Sequence, residues 1–205
     1  MPFSLKPGTP AYAEATIKNS RFIARLGYVD DEDAAAAFIR GVRDAERGAG
    51  HHCFAYVVGD DEESRIERFS DDGEPTGTAG APILNAIKAN GLVNTAAVVS
   101  RHYGGVKLGT GGLARAYSGT VSAAIADADL RTRRRWLVFR LTADHTEAGR
   151  LEAELRGRGV EVSDVDYGEQ AVLTLVCAEG PRLTAIVGEL TSGRGNLIPA
   201  GRIWR

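Results

Sequence analysis

Between Arg101 and Arg115 the chain reads Arg-His-Tyr-Gly-Gly-Val-Lys-Leu-Gly-Thr-Gly-Gly-Leu-Ala-Arg, with five glycines among fifteen residues. No other segment constrains the fold as much, because glycine removes the steric cost of positive φ and of close backbone approach while adding nothing to a packed core. Just before it, Ala96-Ala-Val-Val99 is an uninterrupted apolar run that predicts a buried strand. Just after it, Leu113, Ala116, Tyr117, Thr120 and Ala124 recur at helical spacing, and their small side chains predict a helix lying close to a sheet. A glycine loop between a strand and a helix lets successive N–H groups converge on an anion at the positive end of the helix. Lys107 and Arg115 add charge there. A tight connection packed against a neighbour accounts for the same glycines. The candidate anion- or nucleic-acid-binding residues are Arg101, Tyr103, Gly104, Gly105, Lys107, Gly109, Thr110, Gly111, Gly112 and Arg115. Tyr103 and Tyr117 are both candidates to stack on a base; Tyr117 belongs to the apolar helix face, and Tyr103 stays open.

As text, Gly109-Thr-Gly111-Gly-Leu-Ala114 matches the relaxed dinucleotide fingerprint G-x-G-x-x-A, and Asp129 follows eighteen residues after Gly111. The context rejects it. Asp129 falls just past a helix instead of at the tip of a second buried strand, and several residues separate the first strand from the glycines. The phosphate-loop pattern that ends in Gly-Lys-Ser/Thr is absent as well.

A second concentration of chemistry is the acidic turn Ser70-Asp71-Asp72-Gly73-Glu74-Pro75-Thr76-Gly77. Its three carboxylates make Asp71, Asp72 and Glu74 candidates for acid–base work or for holding Mg²⁺ beside a phosphate. Asp, Gly and Pro also build turns for purely conformational reasons. In His51-His52-Cys53, immediate neighbours on a strand face opposite ways and cannot chelate one ion, so Cys53 is read as core and no metal or cofactor is expected.

The remaining pattern predicts two domains. From Ala11 to Val29 the alternation changes phase at Lys18-Asn19-Ser20, which predicts a hairpin. Asp30 and Asp31 open a helix carrying Ala35, Phe38, Ile39 and Val42, Cys53 to Phe69 form a second hairpin, and a helix starts at Thr78 or Ala79. After the basic run Arg131-Thr-Arg-Arg-Arg135 the grammar restarts as strand, helix, strand, strand, helix, strand. This predicts a ferredoxin-like βαββαβ domain over 136–205, a first domain over 1–130 and a basic linker over 131–135, read first as a solvated run and second as a phosphate contact to RNA. Asp144 and Glu147 stand at capping-box spacing before its first helix. The fold class expected is therefore α+β.

A net charge of -2 argues against a polycation that coats nucleic acid by charge alone. The only cysteines, Cys53 and Cys177, sit one in each predicted domain in strand-like surroundings, which argues against a disulfide framework. No apolar run approaches the roughly 18 residues of a membrane span. Met1 to Pro10 lacks the apolar core of a secretory signal, so no membrane association and a cytoplasmic location are expected.

Three motifs together, His51-His-Cys-Phe-Ala-Tyr56, Ser70 to Gly80 and Arg101 to Tyr117, resemble the Impact/YigZ family, strongly over about residues 15 to 130. Residues 136 to 205 resemble the smaller C-terminal domain of its bacterial members, and His102 departs mildly from a position often aromatic. The resemblance implies a first domain similar to the second domain of a small-subunit ribosomal protein. It implies a second domain similar to the last domain of elongation factor G. The eukaryotic relative, Impact, restrains an amino-acid-starvation kinase by competing for its activator protein.

The expectation that follows is a non-catalytic, translation-related regulator whose partner is RNA, the ribosome or a translation-regulatory protein. Two other readings stand beside it. One is an enzyme acting on a phosphorylated metabolite or nucleotide through the glycine loop and the acidic turn. The other is a protein-binding module whose glycine loop is architectural. The sequence does not set the oligomeric state.

Overall fold

The computed structural model describes residues 2–205. The chain divides into a first unit that ends at Arg133 and a second over Arg134–Arg205. Among the described residues no helix is long and apolar enough to cross a membrane.

The first unit contains β1 (Phe3–Leu5), β2 (Ala11–Ile17), β3 (Ser20–Tyr28), α1 (Glu32–Ala45), β4 (His51–Val58), β5 (Ile66–Ser70), α2 (Gly80–Ala89), β6 (Thr95–His102), α3 (Thr110–Ala126) and β7 (Leu130–Thr132). β2 to β6 form a sheet of order β2-β3-β6-β4-β5 in which every pairing is antiparallel. Two residues at positive φ, Lys18 at 46° and Asn19 at 65°, make the tight β2–β3 turn. That conformation matches the right-handed twist of paired strands.

β6 lies in the middle because its residues suit burial on both faces. Ala97 and Val99 join the main core with Phe22, Cys53, Ile83, Ile87 and Tyr117, beneath α2 and α3. The alternate residues face α1: Ala96 packs with Val29 and Ala35, and Val98 packs with Ile39 and Val42. The period of two along one strand thus serves two cores. The N-terminus of α1 is held by Asp31, whose Oδ1 accepts from Ala34 N at 2.6 Å.

The second unit contains β8 (Arg135–Ala143), α4 (His145–Gly157), β9 (Glu161–Tyr167), β10 (Ala171–Cys177), α5 (Gly180–Leu190) and β11 (Leu197–Trp204). Its antiparallel sheet has the order β11-β8-β10-β9. Leu141, Leu173 and Leu175 form one core with Leu151, Leu155, Leu183 and Val187 of the two helices. This is the ferredoxin-like arrangement expected from the βαββαβ order, and the chain as a whole is α+β. The capping box does not form: Asp144 stands at the N-cap of α4 without a side-chain bond, and Glu147 N reaches its carbonyl instead.

The basic run is not a solvated linker. β7 pairs with β1, setting Arg131 opposite Ser4 and Thr132 opposite Phe3. Arg131 Nε donates to Ser4 Oγ at 3.0 Å, and its guanidinium lies 5.1 Å from the Tyr28 ring centre. Arg133 is buried and forks onto Asp60 with two bonds of 2.8 Å. Residues 131–133 therefore close the first unit, and Arg135 already belongs to β8.

Candidate functional site

The acidic turn and the glycine loop meet at a buried ion pair. β6 ends by carrying Arg101 inward, and Arg101 Nη1 donates to Glu74 Oε1 at 2.6 Å. The same oxygen accepts from Tyr117 Oη of α3 at 2.7 Å. Both charged side chains are almost wholly enclosed, at 6% and 4% relative exposure. Arg101 Nη2 donates to Ser20 Oγ at 3.3 Å, while its Nε has no partner. The guanidinium sits between two rings, 5.4 Å from the centre of Phe22 and 5.3 Å from that of Tyr103. Phe22 in turn meets Tyr117 edge-on at 5.2 Å. A buried pair of this kind needs its remaining donors satisfied, and the hydroxyls and ring faces supply most of that.

The other two carboxylates are engaged elsewhere. Asp71 turns toward α2, where Oδ1 accepts from Ala79 N at 3.0 Å and Gly80 N at 2.8 Å, and Oδ2 from Gly77 N at 2.8 Å. Asp72 turns the opposite way, accepting from His52 N at 2.7 Å and from Arg43 at 2.7 Å. Positive φ at Asp72 (44°) and Gly73 (85°) reverses the chain between them. Ser70 Oγ accepts from Asp72 N, Pro75 O accepts from Thr78, and Gly77 turns at φ 77°. Among the described residues no three His, Cys, Asp or Glu side chains are placed to hold a metal ion.

Burial works to raise the Asp71 carboxyl, but its three backbone N–H partners outweigh that and hold it below the usual range. A carboxylate depressed in the folded state stabilises above its unfolded pKa, near 3.9, and that stability is lost as pH falls through the lower folded value. Asp71→Ala is expected to cost about 1–2 kcal/mol, as for other helix-capping side chains. It should also flatten the loss of stability below about pH 4. Urea denaturation at pH 7 and pH 3 checks both; parallel losses in parent and variant would rule out this role.

Above the ion pair lies a groove of about 530 Å³, walled by Glu74 and Pro75 on one side and by Tyr103, Lys107, Gly109 and Thr110 on the other. Leu108 and Leu113 contribute apolar surface, and His51 also lines the groove. His51 Nδ1 lies 2.8 Å from the Asp72 carbonyl, which only accepts, so Nδ1 carries the proton and Nε2 is left as an acceptor. Tyr103 is 55% exposed. Lys107 and Arg115 are exposed, and neither makes a hydrogen bond or ion pair among the described residues. α3 begins at Gly109 (φ 74°) with no side-chain cap and no acid in its first turn.

The glycines divide by role. A side chain at Gly104 would collide with the β2–β3 turn, 2.0 Å from Asn19 O, whereas Gly105 and Gly109 face open space at positive φ. Gly111 and Gly112 lie in the first helical turn, Gly112 against Leu108 and Gly111 beneath Arg115 Nη1. Cys53 donates from Sγ to Asp71 O at 3.0 Å, and burial pushes its thiol up to about 12, so it is an inert core thiol. Burial, with Cys53 and Glu74 adjoining, likewise pushes the Tyr117 phenol up. Sequence reasoning missed Ser20, His51 and the polar end of Tyr117. Of these only the His51-His52-Cys53 string carries a local signal, and there the metal reading is set aside and Cys53 taken as core without a role for His51.

Fold and groove define a two-unit α+β protein whose first unit carries a preformed groove with unpaired cations at its rim. The chain belongs to the Impact family. The family model described as Impact N-terminal domain matches residues 18–125, and the one described as "Domain of unknown function (DUF1949)" matches residues 141–194. The Impact family member YvyE of Bacillus subtilis is 37% identical over 186 residues, covering 90% of this chain and 85% of the relative. The Impact family member YigZ of Escherichia coli is 36% identical over 194 residues, covering 94% and 95%. A crystal structure of a hypothetical protein is 34% identical and superposes with a TM-score of 0.71 over 98% of both chains.

Proposed function

We propose that the chain is a non-catalytic, translation-related regulator that binds RNA, on or off the ribosome, through the groove over the Arg101–Glu74 pair. Family membership supports the translational setting. The observation that carries the binding reading is the distribution of charge. Asp71, Asp72 and Glu74 are each committed to a partner within the fold, and Lys107 and Arg115 are the side chains left with unpaired charge beside an uncapped helix start. An enzyme using the acidic turn needs one of those carboxylates within reach of a reacting group and free to ligate or to take a proton. The bonds they already make oppose that use.

Contacts to phosphate release counterions, so affinity falls with salt by a slope of about 0.7 per phosphate contact on a single strand. The double variant Lys107→Ala/Arg115→Ala is expected to weaken co-sedimentation with ribosomes or bulk RNA at low salt by about tenfold and to reduce that slope by roughly 1.4. Both side chains are exposed, so the fold is retained. Unchanged co-sedimentation would end the RNA reading. Salt-insensitive binding that survives nuclease treatment would point to a protein partner instead.

A further inference from the structure

The groove has two ends of different chemistry, and both face one space. At one end α3 starts without a side-chain cap. The first N–H groups of a helix have no partner within it, so those of Thr110, Gly111 and Gly112 are donors available to a ligand. Lys107 and Thr110 line that end, and Arg115 stands one helical turn on, with Nη1 3.4 Å from where a side chain on Gly111 would begin. An exposed guanidinium without an acidic partner beside the positive end of a helix adds to the attraction for an anion there.

A second observation, independent of the helix end, comes from Arg101. Its side chain is only 6% exposed, it lines the groove, and its Nε finds no partner. Glu74 neutralises its charge, so Lys107 and Arg115 set the local excess, which is positive. The same guanidinium backs one face of the Tyr103 ring at 5.3 Å while the ring remains 55% exposed. The platform is fixed in place, because Gly104, the next residue, is wedged under the β2–β3 turn and donates from its N to Ser20 Oγ at 3.2 Å. An aromatic face supported from behind and open in front takes a second planar ring.

We infer that the groove is a nucleotide site, with the phosphate at the Thr110–Gly112 end of α3 between Lys107 and Arg115 and the base stacked on the open face of Tyr103. The volume of about 530 Å³ suits a single nucleotide unit. His51, which lines the groove with Nε2 as acceptor, suits a ribose hydroxyl or an exocyclic amino group. This assignment rests on the binding reading proposed above and narrows it to one nucleotide unit, either free or as part of an RNA strand.

Amide NMR titration of the full chain separates the possibilities, using inorganic phosphate, adenosine, adenosine 5′-monophosphate and a short single-stranded oligoribonucleotide with and without a 5′-phosphate. Adenosine 5′-monophosphate is expected to shift the amides of Thr110, Gly111 and Gly112 and to bind more tightly than phosphate or adenosine alone. Tyr103→Ala should weaken it at least about fivefold, in line with the contribution of one base stack, and leave inorganic phosphate unaffected. Tyr103→Phe should bind like the parent. Lys107→Ala should weaken inorganic phosphate and adenosine 5′-monophosphate alike. If only the oligonucleotide binds, with the same amides and the same dependence on Tyr103, the unit is read within a strand and the assignment stands. A preference for the 5′-phosphorylated oligonucleotide would place the strand's end in the groove. If no probe moves those amides at millimolar concentration, or if Tyr103→Ala binds as the parent does, the assignment falls. Ribosome co-sedimentation that persists in that case would leave the broader reading intact.

Discussion

Glu74→Ala is expected to destabilise the first unit by about 3–5 kcal/mol, the usual cost of removing one partner from a buried ion pair. Glu74 Oε1 is the shared acceptor for Arg101 and Tyr117, and the residues around them offer no second carboxylate, because Asp71 and Asp72 face other partners. Alanine would leave a guanidinium enclosed with its charge uncompensated, and a phenol without its acceptor. Domains of ordinary stability, about 5–15 kcal/mol, lose a large fraction of it in such a change. Urea denaturation followed by far-ultraviolet circular dichroism reads the loss. The paired replacement Arg101→Met/Glu74→Leu tests the cause, since exchanging a buried pair for apolar residues of similar volume is often neutral. It should recover most of what Glu74→Ala loses. A single variant as stable as the parent would mean that water reaches the pair.

Local pattern carried the elements whose partners lie nearby. The phase change at Lys18-Asn19 marked the β2–β3 hairpin because a two-residue turn fixes register directly, and the restart after Arg135 displayed the βαββαβ order because each helix and strand there has its own clear period. What escaped was long-range. β1 and β7 are three residues each and find one another across most of the first unit, so neither has enough length to show a period. The arginines at 131 and 133 read as a solvated run because Ser4 and Asp60, their partners, are far away in sequence.

The site divides along the same line. The glycine loop and the acidic turn are visible as strings, and the helical spacing of Tyr117 correctly marks its ring as core. Nothing local indicates that its hydroxyl, Glu74 and Arg101 converge, since three separate elements must pack before they touch. Three acids in one turn fit acid–base work, a Mg²⁺ site or plain turn chemistry equally well as a string. Positive φ at Asp72 and Gly73 sends them to three different partners, a conformational fact that composition does not encode.

Gly104→Ala is expected to cost about 3 kcal/mol, at the upper end for overpacking, because the obstruction is backbone and not a side chain that can rotate away. An added Cβ would lie 2.0 Å from Asn19 O, 2.1 Å from Asn19 C and 2.6 Å from Ser20 N. Relief requires the glycine loop or the β2–β3 turn to move by more than an ångström, roughly the shortfall from ordinary van der Waals contact. The turn is already confined to positive φ at Lys18 and Asn19. Ser20 Oγ, which accepts from both Gly104 N and Arg101 Nη2, would be carried with it, so the buried pair and the Tyr103 platform loosen together. Gly105→Ala is the matched control: its φ of 85° penalises any side chain by about 1–2 kcal/mol, but the space around it is open. Urea denaturation should therefore rank Gly104→Ala below Gly105→Ala by more than 1 kcal/mol, with amide shifts at Asn19 and Ser20 in the first variant alone. Equal stabilities would show that the loop does not bear on the hairpin.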